Sequence, residues 1–82
     1  MSAEALEQTV LDALGEVAPE VDPDTIERDV PLRDQLDIDS MDFLNFVIAM
    51  NERTGIEIPE SDYGELATLA GCVAYLARAG SS

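Results

Sequence analysis

Apolar residues near the start of the chain recur at helical spacing. They occupy one face of a helix, with intervals of three and four residues, and are Leu6, Val10, Ala13, Leu14 and Val17. Ser2 precedes this run, and serine is one of the residue types that favour the N-cap of a helix. The pattern predicts a first helix from about residue 3 to residue 16.

The helical pattern stops between residues 19 and 39. This segment reads PEVDPDTIERDVPLRDQLDID and holds three prolines and many acids. A structureless loop of this length is unusual inside a compact domain. Spaced apolar residues therefore predict an ordered connection with a short turn of helix, anchored by Val21, Ile26, Val30, Leu32, Leu36 and Ile38.

A second helical run begins at Ser40 and reads SMDFLNFVIAMNERT, and Gly55 is a suitable residue just past its end. At about 100° per residue this run has one apolar stripe, made of Met41, Leu44, Val47 and Ile48, with Phe43, Phe46 and Met50 spread beyond it. One face is expected to line the core. The other apolar side chains could be absorbed by tight packing, or could form a docking surface or the lining of an apolar pocket.

The last third of the chain predicts two more helices. Pro59, at the end of the brief IEIP, can stand in the first turn of a short helix through Leu66. Thr68 can cap a last helix, LAGCVAYLARA, whose inner stripe is Leu69, Val73 and Leu76, with Gly80 beyond it. The predicted fold is all-α, a small bundle of three main helices plus one short helix with a long ordered loop between helices 1 and 2. One domain is expected over residues 1–82, with its core at about 3–79.

The charge of the chain narrows the choice of partners. Eighteen carboxylates face four arginines, with no lysine or histidine, for a net charge of −14. This sign disfavours binding to nucleic acid or to an anionic membrane and favours partners with basic surfaces. One cysteine excludes an internal disulfide, and no signal peptide or bilayer-spanning run is visible. We therefore expect a cytoplasmic protein without a membrane span.

The missing residue types exclude several kinds of catalysis. Without histidine there is no Ser-His or Cys-His pair, and without lysine there is no Schiff base or phosphate-loop lysine. No catalytic residue is predicted, and a stand-alone enzyme is the least favoured reading. No metal site is predicted either, because Asp22, Asp24 and Asp29 lack the glycine and terminal glutamate of an EF-hand.

For five further side chains the sequence predicts a structural role. Cys72 is expected to be a buried thiol, since no activating cation is near it in sequence. Tyr63 and Tyr75 are expected to pack at the edge of the core. Arg33 and Arg53 are expected to pair with neighbouring acids, in exposed pairs that add little stability.

The stretch DIDS at residues 37–40 suggests a chemical role for its serine. Serine and aspartate both favour the N-cap position, so either Asp39 or Ser40 could cap the second long helix. If Asp39 is the cap, the Ser40 hydroxyl can point outward. A phosphodiester attached there would lie at the positive end of the helix dipole. With no base nearby, the serine would be the substrate of another enzyme.

The wider stretch LDIDSMDFLNFVIAMNERTGIEIP, residues 36–59, resembles the acyl carrier proteins. In that family a motif of the type L-G-x-D-S-L opens an acidic helix, and the segment closes with I-x-I-P. The likeness is strong from about Pro31 to Pro59. It implies that Ser40, between Asp39 and Met41, carries 4′-phosphopantetheine, which a phosphopantetheinyl transferase takes from coenzyme A and attaches covalently.

The resemblance also implies a function for the whole chain. Acyl groups would ride on the arm as thioesters between partner enzymes of fatty acid, lipid or polyketide biosynthesis. The partners would be acyl-loading and acyl-processing enzymes with basic docking patches, the cargo would be the acyl chain, and the carrier would be a monomer. The residues expected to dock partners are Asp39, Met41, Asp42, Phe43, Asn45, Phe46 and Glu52.

Departures from the family pattern leave alternatives open. Asp37 stands where the family usually has glycine, and Asn45 and Asn51 stand where acids are common. These changes favour a specialised discrete carrier. One alternative is an aminoacyl or peptidyl carrier, although the G-G-x-S core of those carriers is absent. The other is an unmodified acidic module that holds a basic partner through the second helix.

Overall fold

The computed structural model describes residues 2–80 and begins with a long helix. Met1, Ser81 and Ser82 of the expected domain lie outside the described residues. Helix α1 spans Ala3–Val17, and the Ser2 hydroxyl accepts a hydrogen bond from the Ala5 amide at 3.2 Å. The predicted helix and its cap are confirmed, and its apolar face is buried through Leu6, Val10, Ala13 and Leu14.

The connection after α1 is ordered, as predicted. It contains a 3-10 turn at Pro23–Thr25 and a short helix, α2, at Leu32–Gln35. Among the predicted anchors, Leu32, Leu36 and Ile38 are buried, whereas Val21, Ile26 and Val30 are half-buried. The apolar residues hold the backbone of this segment against the core.

Hydrogen bonds also fix the connection. The Gln35 side chain accepts from the Glu27 amide and donates to the Glu27 and Val30 carbonyls, at 2.8, 2.8 and 2.9 Å. The Leu32 amide donates to the Ala67 carbonyl at 2.7 Å, which ties α2 to the C-terminal part of the fold. These bonds satisfy backbone groups that the absence of regular structure would otherwise leave unpaired.

Helix α3 spans Ser40–Thr54 and buries a different face from the stripe seen in the sequence. Its buried residues are Phe46, Val47, Ala49 and Met50. Of the predicted stripe only Val47 is buried, and Met41, Leu44 and Ile48 are exposed. Both faces have helical spacing, and the inner one holds the Phe46 ring, which is completely buried in the core. One of the two apolar faces therefore remains on the surface.

The C-terminal third forms a 3-10 helix at Glu60–Leu66, directly after Pro59, and helix α4 at Leu69–Gly80. Thr68 caps α4 as predicted, since its hydroxyl accepts from the Gly71 amide at 3.0 Å. Gly80 was expected beyond the helix but is its last described residue.

The three long helices form one bundle, in which α1 packs against both α3 and α4. The described residues contain no strand. The all-α prediction of three main helices, a short helix before the last and an ordered loop is confirmed.

Two glycines should respond to alanine in opposite directions. Gly55 ends α3 in the left-handed region at φ 73°, where a Cβ is strained, whereas Gly15 lies within α1; a Cβ has free space at both. We expect Gly55→Ala to lower the free energy of unfolding by about 1–2 kcal/mol and Gly15→Ala to raise it by about 0.5–1 kcal/mol. Urea denaturation measures both, and equal values for the two variants would contradict the αL end of α3.

Candidate functional site

The start of α3 leaves the Ser40 hydroxyl available. Asp39 is the N-cap, and its carboxylate accepts from the Asp42 amide at 2.8 Å. The Asp42 carboxylate accepts in return from the Asp39 amide at 3.4 Å, which completes a capping box. Ser40 is the first residue of the helix and is exposed. Of the two possible caps, the structure therefore uses Asp39.

Ser40 lies on the edge of a groove of about 580 Å³. The groove, called here the serine groove, is lined by Pro31, Arg33, Ser40, Phe43, Leu44, Glu60, Tyr63, Gly64 and Ala67. These residues come from the α2 region, the first turns of α3 and the 3-10 helix at Glu60–Leu66 with the residue after it. An apolar lining with few polar groups can shelter an apolar chain attached at its edge.

Two aromatic rings shape the inner part of the serine groove. Phe43 packs edge-to-face against buried Phe46 at 6.1 Å between ring centroids, and against Tyr63 at 6.0 Å. Tyr63 also lines a second groove of about 490 Å³ beside Val47 and Ile58. The Tyr63 ring therefore borders both grooves, and it packs on the core as predicted.

The exposed apolar face of α3 lies beside the serine. Met41, Leu44 and Ile48 are 67%, 39% and 46% exposed. Sequence reasoning included Met41 among the docking residues but omitted Leu44 and Ile48, although their spacing of three and four residues along the stripe was visible. This face is called the outer stripe of α3.

The predicted docking residues are not all accessible. Four are exposed, namely Asp39, Met41, Asn45 and Glu52. Asp42 and Phe43 are half-buried, because Asp42 takes part in the capping box and Phe43 packs on the core. Phe46 is completely buried. The prediction that Phe46 docks partners is wrong, since its ring points into the core.

Arg33 approaches the serine from α2. Its Nη2 donates to Ser40 Oγ at 3.5 Å, a long hydrogen bond. Sequence reasoning expected an acid as its partner and missed this contact, which depends on how the connection folds back on α3. The same expectation is confirmed for Arg53, whose Nε donates to Glu16 Oε2 at 3.1 Å.

Cys72 and Tyr75 are packed and hydrogen-bonded within the fold. Cys72 is buried, its thiol donates to the Leu66 carbonyl at 3.4 Å, and burial raises its pKa to about 12. The Tyr75 hydroxyl donates to Asp62 at 2.8 Å, and this bond raises the tyrosine pKa. Both residues therefore pack and bond as structural groups, as predicted.

Residues 2–80 contain neither a cluster of metal ligands nor a helix that could span a membrane. The part of the chain that the structure describes has no group of three or more His, Cys, Asp or Glu residues that could hold a metal ion. Over the same range, every helix is too short or too polar to cross a membrane.

Comparisons with known proteins agree on one family. Residues 4–76 match the family model described as "Phosphopantetheine attachment site". The acyl carrier protein of Kineococcus radiotolerans is 33% identical over 78 residues, covering 92% of this chain and 96% of that protein. The acyl carrier protein of Bdellovibrio bacteriovorus is 36% identical over 62 residues, covering 76% and 80%. A solved acyl carrier protein from Enterococcus faecalis has the same fold, with a TM-score of 0.79 and 23% identity over 96% of this chain and 99% of that one.

Proposed function

Because this chain belongs to the acyl carrier protein family, a family of phosphopantetheine-bearing carriers, we propose that Ser40 is the residue that bears its covalent 4′-phosphopantetheine. The observation that carries this assignment is the capping box at the start of α3. Asp39 occupies the cap, so the exposed Ser40 hydroxyl is available for esterification. Coenzyme A is the donor, and a phosphopantetheinyl transferase is the first partner.

The residues around Ser40 fit such a group. The serine groove begins at the attachment point and has room for an arm or for part of an acyl chain. When bound, the arm supplies a thiol that holds an acyl group as a thioester. Each methylene that Phe43, Leu44 and Tyr63 shield from water contributes about 0.8 kcal/mol. The chain itself supplies no catalytic group in this proposal; it presents and shelters the cargo.

The partner surface is the outer stripe of α3 with the acids beside it. Met41, Leu44 and Ile48 offer apolar contact, and Asp39 and Glu52 are exposed carboxylates. A net charge of −14 favours acyl-loading and acyl-processing enzymes that present basic patches. We propose that the carrier works as a single-domain monomer in the cytoplasm.

The family assignment bears on the alternatives. The relatives described above are named acyl carrier proteins, so the aminoacyl or peptidyl carrier and the unmodified acidic module are not favoured. Asp37, Asn45 and Asn51 depart from the family pattern described above. They support a specialised discrete carrier in fatty acid, lipid or polyketide biosynthesis.

A thiol count tests this proposal. Cys72 is buried with a pKa of about 12, so the native unmodified protein should not react with a thiol reagent at pH about 8, where that thiol stays protonated. After incubation with coenzyme A and a phosphopantetheinyl transferase, one reactive thiol per chain is expected.

Denaturant provides the control, because it exposes Cys72. The count should then be one for the unmodified protein and two for the modified one. A native count that stays at zero after the transferase reaction, with a denatured count of one, would contradict the proposed function.

A further inference from the structure

Arg33 differs from the other arginines of the chain. Arg28 pairs with Glu7, Arg53 with Glu16 and Arg78 with Glu65. Within residues 2–80, Arg33 has no carboxylate in salt-bridge distance, although acids greatly outnumber arginines. Its guanidinium instead donates to Ser40 Oγ at 3.5 Å. A cation that has no carboxylate partner among the described residues is thus held beside the hydroxyl that is to be esterified.

The surroundings of Ser40 otherwise disfavour another anion. Asp37, Asp39 and Asp42 lie within three residues of it in sequence, and two of them form the capping box. A phosphodiester on Ser40 would add a further negative charge to this group. The positive end of the α3 dipole offsets part of the repulsion. Arg33 is the side chain in contact with the esterified oxygen that can offset the rest.

We infer that Arg33 binds the phosphate of the phosphopantetheine on Ser40 and acts as a positioning residue for the arm. This inference rests on the proposed function. A phosphate esterified to Ser40 Oγ places its free oxygens two covalent bonds beyond that oxygen, within reach of a guanidinium 3.5 Å from it. Arginine matches phosphate geometry through two parallel donors, which fixes direction as well as distance.

The pairing gives the arm a direction. Arg33 and Pro31 line the serine groove on its α2 side, while Phe43 and Leu44 line it from α3. A phosphate held toward Arg33 therefore starts the arm on the α2 side of the serine groove. Because Arg33 is exposed, salt should weaken the pairing.

Matched variants separate this local contact from total charge. Arg33→Gln and Arg28→Gln each remove one positive charge, but Arg28 pairs with Glu7 and is not among the residues of the serine groove. Arg33→Lys keeps the charge and loses the planar fork. Each protein is prepared without the arm and, after reaction with coenzyme A and a transferase, with it. Intact mass confirms the modification, and NMR records the ³¹P resonance and the arginine Nε–Hε resonances.

The expected result has two parts. In the wild type, the Arg33 Nε–Hε resonance shifts on modification and the Arg28 resonance does not, and added salt reduces the Arg33 shift. The ³¹P resonance moves in Arg33→Gln, moves less in Arg33→Lys and keeps its wild-type position in Arg28→Gln.

Three other results overturn the inference. First, the inference is wrong if the Arg33 Nε–Hε resonance of the wild type is identical before and after modification. This comparison uses wild-type protein alone, so it remains valid even if Arg33→Gln fails to fold. Second, the inference is wrong if the ³¹P chemical shift is the same in the modified wild type and in modified Arg33→Gln. If the wild type gains no mass, the proposed function fails too, which distinguishes that failure from a modified protein whose Arg33 does not respond.

Discussion

We expect the Ser40→Ala protein to gain no mass when it is incubated with coenzyme A and a phosphopantetheinyl transferase, and the wild type to gain one phosphopantetheine per chain. The loss is complete because the oxygen that forms the ester is removed. Ser61 provides a matched control, since it is also an exposed serine and lies in the 3-10 helix at Glu60–Leu66. Ser61→Ala should be modified like the wild type, and intact-mass spectrometry reads all three proteins.

The same variant reports on the cap. Asp39 and not Ser40 caps α3, so Ser40→Ala should change the free energy of unfolding by no more than about 0.5 kcal/mol. A serine that served as the cap would cost about 0.5–2 kcal/mol on replacement by alanine. Modification of Ser40→Ala to the wild-type extent would show that another residue holds the arm.

Phe46→Ala should lower the free energy of unfolding by about 3–5 kcal/mol. Phe46 is completely buried in α3, packs against Phe43 and belongs to the core shared with α1 and α4. Small natural domains are stable by only about 5–15 kcal/mol in total, so this loss should leave a fold that melts at a much lower temperature.

Met41→Ala is the matched control on the other face of the same helix. Met41 is 67% exposed, and a surface substitution of this kind changes stability by no more than about 0.5 kcal/mol. Urea denaturation of both variants measures the difference. Similar losses for Phe46→Ala and Met41→Ala would mean that α3 does not present these two faces as described.

Most of the fold could be predicted from helix-capping residues and from the helical spacing of apolar residues. Ser2 and Thr68 are side chains whose oxygens satisfy the first amides of a helix, and both act that way in the structure. Gly55 adopts the left-handed conformation that ends α3. These are local effects between residues a few positions apart, so they can be recognised without knowing what packs against each helix.

The orientation of α3 could not be obtained in this way. Its apolar residues form two faces, one through Met41 and Leu44 and another through Phe46 and Met50, and both have helical spacing. The choice depends on which face fits against α1, which is a property of the folded bundle. The contact between Arg33 and Ser40 is of the same kind, because it spans seven residues across the turn that follows α2.

The most direct test of the account is tandem mass spectrometry of the protein purified from its native host. We predict that the peptide containing Ser40 bears one phosphopantetheine at that serine, and that the other serines and threonines of the protein are unmodified. A protein that carries the arm at a different residue, or that never carries it in growing cells, would contradict the assignment of Ser40.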